Sequence, residues 1–97
     1  MRSINDLVDG DYIAFGFDYN GGEPSEIIVD KIQSVYMKGK VFSVTFLYGY
    51  KSLTEYVNDK KILAIGNEKG RGKIPGWKGN YDIINQEEIN RITKIKN

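Results

Sequence analysis

The chain has 97 residues, 14 basic and 13 acidic, with no cysteine and no histidine. That length fits a single domain, and the 40% hydrophobic content is that of a globular chain rather than a disordered one. Without cysteine there is no disulfide framework, iron–sulfur site or thiolate zinc site, and without histidine the commonest metal ligand and general base is missing. No run of about 18 apolar residues marks a membrane helix, and no basic start leads into an apolar stretch as in a signal peptide, so a cytoplasmic location is expected.

The net charge of +1 hides a split: residues 1–35 carry two basic and seven acidic side chains, residues 36–97 twelve and six. Isoleucine outnumbers leucine 13 to 4, which with the valines, tyrosines and phenylalanines favours pleated strands. In 12–18 the alternate residues Ile13, Phe15 and Phe17 are large and apolar, which predicts a strand with one buried face. Asn20-Gly21-Gly22 followed by Pro24 is a turn signal, so the first two strands form a hairpin.

From Glu26 to Met37 apolar residues continue, but Asp30 and Lys31 break their phase; a long, bent or bulged strand reconciles this. Lys38-Gly39-Lys40 is a compact turn. Phe42, Val44, Phe46 and Tyr48 then give the clearest alternation in the chain. Residues 49–52 read as a reversal, 53–57 as a fourth strand, 58–61 as a turn or 3-10 step, and 62–65 as a fifth strand. Residues 81–84 read as a short returning strand. Asn85, with Glu88 three positions on, marks a capped helix with Ile89, Ile92 and Ile95 as its apolar stripe.

Five short consecutive strands fit a small closed barrel better than an open sheet. With Asp6-Leu7-Val8-Asp9-Gly10-Asp11-Tyr12-Ile13, where a Gly-Asp pair enters the first strand, residues 6–66 resemble the SH3-like barrels that include KOW and Tudor modules. The resemblance implies a fold and no particular partner. The long hairpin after Gly16 departs from the KOW pattern, so that family's nucleic-acid contacts are not carried over. The expected architecture is mainly β: a five-stranded SH3-like barrel over 6–66, a glycine-rich basic loop over 67–80, and a short strand and C-terminal helix over 81–97.

Residues 66–80 hold five glycines, four basic residues and the only tryptophan. Lys69, Arg71, Lys73 and Lys78 suit phosphates or an acidic protein surface, and Trp77 suits a base or a pocket. The plainer alternative is a solvated connection in which Ile74 and Trp77 cover one end of the barrel. The spacing is not that of a nucleotide-hydrolase phosphate loop. Tyr48-Gly49-Tyr50-Lys51 offers a second candidate surface, against a reading in which one tyrosine is core and the other caps the barrel. A cage for a methylated lysine needs about three rings around one pocket, to be drawn from Tyr12, Tyr36, Tyr48, Tyr50 and Tyr56. Asp6, Asp9 and Asp11 lack calcium-loop spacing, and the loop starting at Asp18 has Val29 where the bidentate glutamate belongs.

No triad, metal cluster or cofactor motif stands out, so neither an enzyme nor a cofactor is expected. The first expectation is a nucleic-acid-binding barrel that uses Lys69, Arg71, Lys73, Trp77, Lys78, Tyr48, Tyr50 and Lys51. The alternative is a stand-alone protein-binding inhibitor whose segregated charge docks on a larger protein. The abundance of lysine, asparagine and isoleucine fits an AT-rich genome, and a small domain starting at Met1 fits an accessory protein of a bacterium or its virus. A viral origin would favour inhibition of a host defence or transcription protein.

Overall fold

A computed structural model describes residues 3–36, 40–67 and 80–96. Strands β1 (Tyr12–Phe17), β2 (Glu26–Tyr36), β3 (Val41–Tyr48), β4 (Lys51–Asn58), β5 (Ile62–Gly66) and β6 (Tyr81–Ile83) precede one helix, α1 (Gln86–Lys96). The strands form one antiparallel sheet in the order β4–β3–β2–β1–β5–β6. Among the described residues no helix is long and apolar enough to cross a membrane.

The first four strands follow one another as hairpins, and β5 crosses to the free side of β1. The disrupted phase of β2 has a structural cause. Its first half, Glu26 to Lys31, pairs with β1; from Ile32 onward it pairs with β3, with a register shift between Ile32 and Ser34. The extra residue bends the strand and lets it serve both halves of the sheet. A 3-10 turn, Asp59–Lys61, then carries the chain from β4 toward β5.

Alternation assigns the two faces except in β5, where the register shift against β1 turns both Leu63 and Ala64 to the helix side. The inner core draws Ile13, Phe15 and Phe17 from β1, Phe42, Val44 and Phe46 from β3, Val57 from β4 and Ile62 and Ile65 from β5. On the other face Ala14, Ile27, Val29, Leu63 and Ala64 receive Ile89 and Ile92 of α1. Ala14 and Ala64 are register partners, and their small side chains leave room for the helix. Burying each isoleucine contributes about 1.5–3 kcal/mol, enough to hold a helix too short to persist alone. Its start is capped as the sequence implies: Glu88 N donates to Asn85 Oδ1 at 3.1 Å.

Three expectations are corrected, and the closed barrel is met only in its coarser form, a mainly β antiparallel sheet. The sheet has six strands, not five, because residues 81–83 pair with Ala64–Gly66 and satisfy the edge that β5 would otherwise leave open. The described strands form an open sheet with β4 and β6 at its margins. Strand β1 is buried on both faces rather than one, since the helix covers Ala14 and Gly16 while Ile13, Phe15 and Phe17 face the inner core. The reversal after β3 takes only Gly49 and Tyr50: Lys51 and Ser52 already pair with Tyr48 and Leu47, and the positive φ of Gly49 (63°) permits so tight a turn.

Candidate binding surface

Residues 15, 17 and 46 begin a chain of rings that runs from the core to the surface. Phe15 meets Phe46 edge-on at 5.8 Å, Phe46 meets Phe17 at 5.1 Å, and Phe17 meets Tyr48 at 5.5 Å. The last ring, Tyr19, stacks on Tyr48 with centroids 5.5 Å apart and planes 14° from parallel. The alternation that buries Phe15 and Phe17 in β1 thus carries on into the loop, where Tyr19 is half exposed.

Carboxylates surround this outer pair. The Tyr48 hydroxyl donates to Glu26, and this hydrogen bond is the main reason the phenol's pKa lies above its ordinary value; burial and the negative charges of Glu26 and Asp18 act in the same direction. On the other side Lys51 Nζ donates to the Tyr19 hydroxyl at 3.4 Å.

The loop that carries Tyr19 is pinned at both sides. Asp18 Oδ2 accepts from Gly22 N at 2.7 Å, Gly21 N donates to Asp18 O at 3.0 Å, and Gly21 has a φ of 76°. Across the loop Arg91 Nη2 donates to the Pro24 carbonyl at 2.9 Å, Nη1 lies 3.6 Å from Glu23, and the same guanidinium holds Glu88. The hydrogen bond from Arg91 keeps the Glu88 carboxyl below its usual pKa. Gly16 lets the loop lie close: a Cβ there would sit 2.8 Å from Pro24 Cβ.

The sequence-selected residues separate into groups. Tyr48 belongs to the ring chain, Lys51 touches Tyr19, and Tyr50 projects fully exposed from the hairpin tip. Lys69, Arg71, Lys73, Trp77 and Lys78 lie outside the described residues. The tyrosines weighed for a cage are split: Tyr12 packs beside the helix cluster, Tyr36 pairs with Tyr56 at 6.5 Å on the outer face, and Tyr48 pairs with Tyr19. Asp11 Oδ2 accepts from Val8 N at 2.9 Å within the turn before β1. Among the described residues no three metal-ligating side chains converge.

Sequence reasoning missed Tyr19 and Glu26. Continuing the Phe15, Phe17 alternation by one step past the strand would have found Tyr19. Glu26 left no such signal, because its role depends on facing the end of β3.

The outer face of β2–β4 has a different character. Thr45 Oγ1 hydrogen-bonds Gln33 and Thr54, each at 2.9 Å, beside the exposed Tyr36 and Tyr56, and none of the outward positions of β3 and β4 is charged. The only charged residues of these two strands are Lys51 and Glu55 of β4, on the opposite face. Among the described residues twelve side chains are acidic and eight basic, whereas residues 68–79 hold four basic residues and one acidic.

Comparison with protein-family models, curated proteins and solved structures finds no match.

Proposed function

We propose that this chain is a non-catalytic protein-binding module that places the Tyr19–Tyr48 end of its sheet against a basic surface of a larger protein. One observation carries the reading: Tyr19, on a loop fixed by Asp18 and Arg91, stacks on Tyr48 at the end of β3, with the carboxylates of Asp18 and Glu26 beside the pair. A fixed aromatic platform loses little entropy on binding, and the surrounding negative charge selects and steers a cationic partner. The same acidic body repels a phosphate backbone, which is why the protein-binding reading is placed first.

The barrel reading of the fold belongs with this proposal. A strand shared by two halves of the sheet, a core fed from both halves and a 3-10 turn before β5 support an SH3-like roll of the sheet.

A second reading, nucleic-acid binding through Lys69, Arg71, Lys73, Trp77 and Lys78, is favoured by the concentration of positive charge in 68–79. The two are separated by one pair of assays. Immobilised wild-type chain should retain a protein from cell extract that Tyr19→Ala retains at least about tenfold more weakly, a loss of about 1.4 kcal/mol. Random-sequence DNA and RNA, followed by Trp77 fluorescence at low and moderate salt, should leave the signal unchanged. Tight, salt-sensitive nucleic-acid binding that survives Tyr19→Ala would replace the first reading with the second.

A further inference from the structure

Strand β4 pairs with β3 along all eight of its residues without a register shift, whereas the β1–β5 and β2–β3 ladders are both interrupted. It stands at one margin of the sheet, and no described strand pairs along its other side. In an antiparallel ladder alternate residues turn their amide and carbonyl groups away from the existing neighbour, so a strand of this length presents a row of outward donors and acceptors. β4 contains no proline, and its ladder has no bulge to twist the margin away. Its charged residues are Lys51 and Glu55, of opposite sign and on the same face of the pleat.

We propose that β4 is a self-association edge, on which a second copy of this chain adds its own β4 antiparallel to form a continuous two-fold sheet. Directly opposed residues in such a pair must lie on the same face, which limits the registers. Centring on Glu55 opposes two like charges. Centring on Thr54 sets Leu53 against the second copy's Glu55. Centring on Leu53 opposes Leu53 to itself, Ser52 to Thr54, and Lys51 to Glu55 twice over, so that both ion pairs form at once. Opposite-charge cross-strand pairs stabilise and like-charge pairs destabilise, which selects the Leu53-centred register. That register also runs the exposed Tyr50 at the hairpin tip alongside Tyr56 of the second copy. The contact is small, so the dimer is weak and concentration-dependent. The proposal shares Lys51 with the Tyr19–Tyr48 surface, whose Tyr19 hydroxyl it meets, but Glu55 and Thr54 have no contact with that stack, so their variants test the β4 margin separately.

Sedimentation over a wide range of protein concentration tests it. Wild type should pass from monomer to dimer as concentration rises. Lys51→Glu and Glu55→Lys should each weaken self-association by at least about tenfold, since each places like charges at both junctions. Mixing the two variants should restore a heterodimer, because every junction then joins opposite charges. Both residues sit at the margin of the sheet, and circular dichroism of each variant checks that the fold is kept. As an independent variant, Thr54→Pro removes an amide from the strand and should also abolish the dimer. A wild-type chain that stays monomeric to its solubility limit overturns the proposal. So does a dimer that is indifferent to both charge reversals, or a variant mixture that remains monomeric.

Discussion

Gly16→Ala tests whether the loop over β1 is seated as tightly as its contacts imply. Gly16 has no positive φ, so alanine fits its backbone, and reduced freedom of the unfolded chain would by itself stabilise by about 0.4–1 kcal/mol. Against this, the new Cβ would lie 2.8 Å from Pro24 Cβ, 3.3 Å from Pro24 Cγ and 3.4 Å from Ile92 Cδ1. The nearest obstacle is a rigid ring whose carbonyl Arg91 holds, and overpacking of this kind costs about 1–3 kcal/mol. The net expectation is a loss of about 1–2 kcal/mol, with Tm falling about 4–8 °C for each kcal/mol in a domain of this size. Thermal denaturation by circular dichroism measures it, and Pro24→Gly supplies the control. In that background Gly16→Ala should become neutral or stabilising, because the obstructing ring is gone. An unchanged or higher Tm for Gly16→Ala alone would refute the reasoning, showing that the loop yields without cost.

Phe46→Ala removes the ring that joins Phe15 to Phe17 and should cost about 3–5 kcal/mol in chemical denaturation; a loss under about 1 kcal/mol would contradict its burial. Tyr48 should be among the last phenols to ionise in an alkaline titration followed by tyrosinate absorbance, because its hydroxyl donates a hydrogen bond to Glu26 that is lost on ionisation. Its folded-state pKa is raised, so its contribution to stability is complete below the ordinary tyrosine pKa and fades as pH rises through the folded value. Tyr48→Phe should therefore remove a late-ionising group and flatten that alkaline loss, whereas disappearance of an early-ionising group would count against the Glu26 contact.

Much of the local structure was readable from neighbouring residues. The alternation of Phe42, Val44, Phe46 and Tyr48 marks β3, Asn20-Gly21-Gly22 marks the first hairpin, and Asn85 with Glu88 marks the helix start. The broken phase at Asp30 and Lys31 also announced a bend, which the structure places just beyond them at Ile32–Ser34. Residues 81–83 read as a short returning strand and are one, but periodicity over three residues could not say that this strand joins the sheet beside β5 and makes its strands six. The candidate surface was half legible: Tyr48, Tyr50 and Lys51 stood out at their turn, while Tyr19 and Glu26 did not.

The sequence by itself determined which segments are strands, turns and helix, because side-chain alternation, glycine at tight reversals and capping act over a few residues. Tertiary structure decided the rest. That Arg91 reaches a carbonyl 67 residues earlier, that Tyr19 stacks on Tyr48, and that β4 is left at the margin all depend on register between distant segments. The single turn from β4 to β5 decides the last of these, by sending β5 to the far side of β1 rather than alongside β4. Local propensity carries no record of that choice, since either placement satisfies the same alternation within each strand.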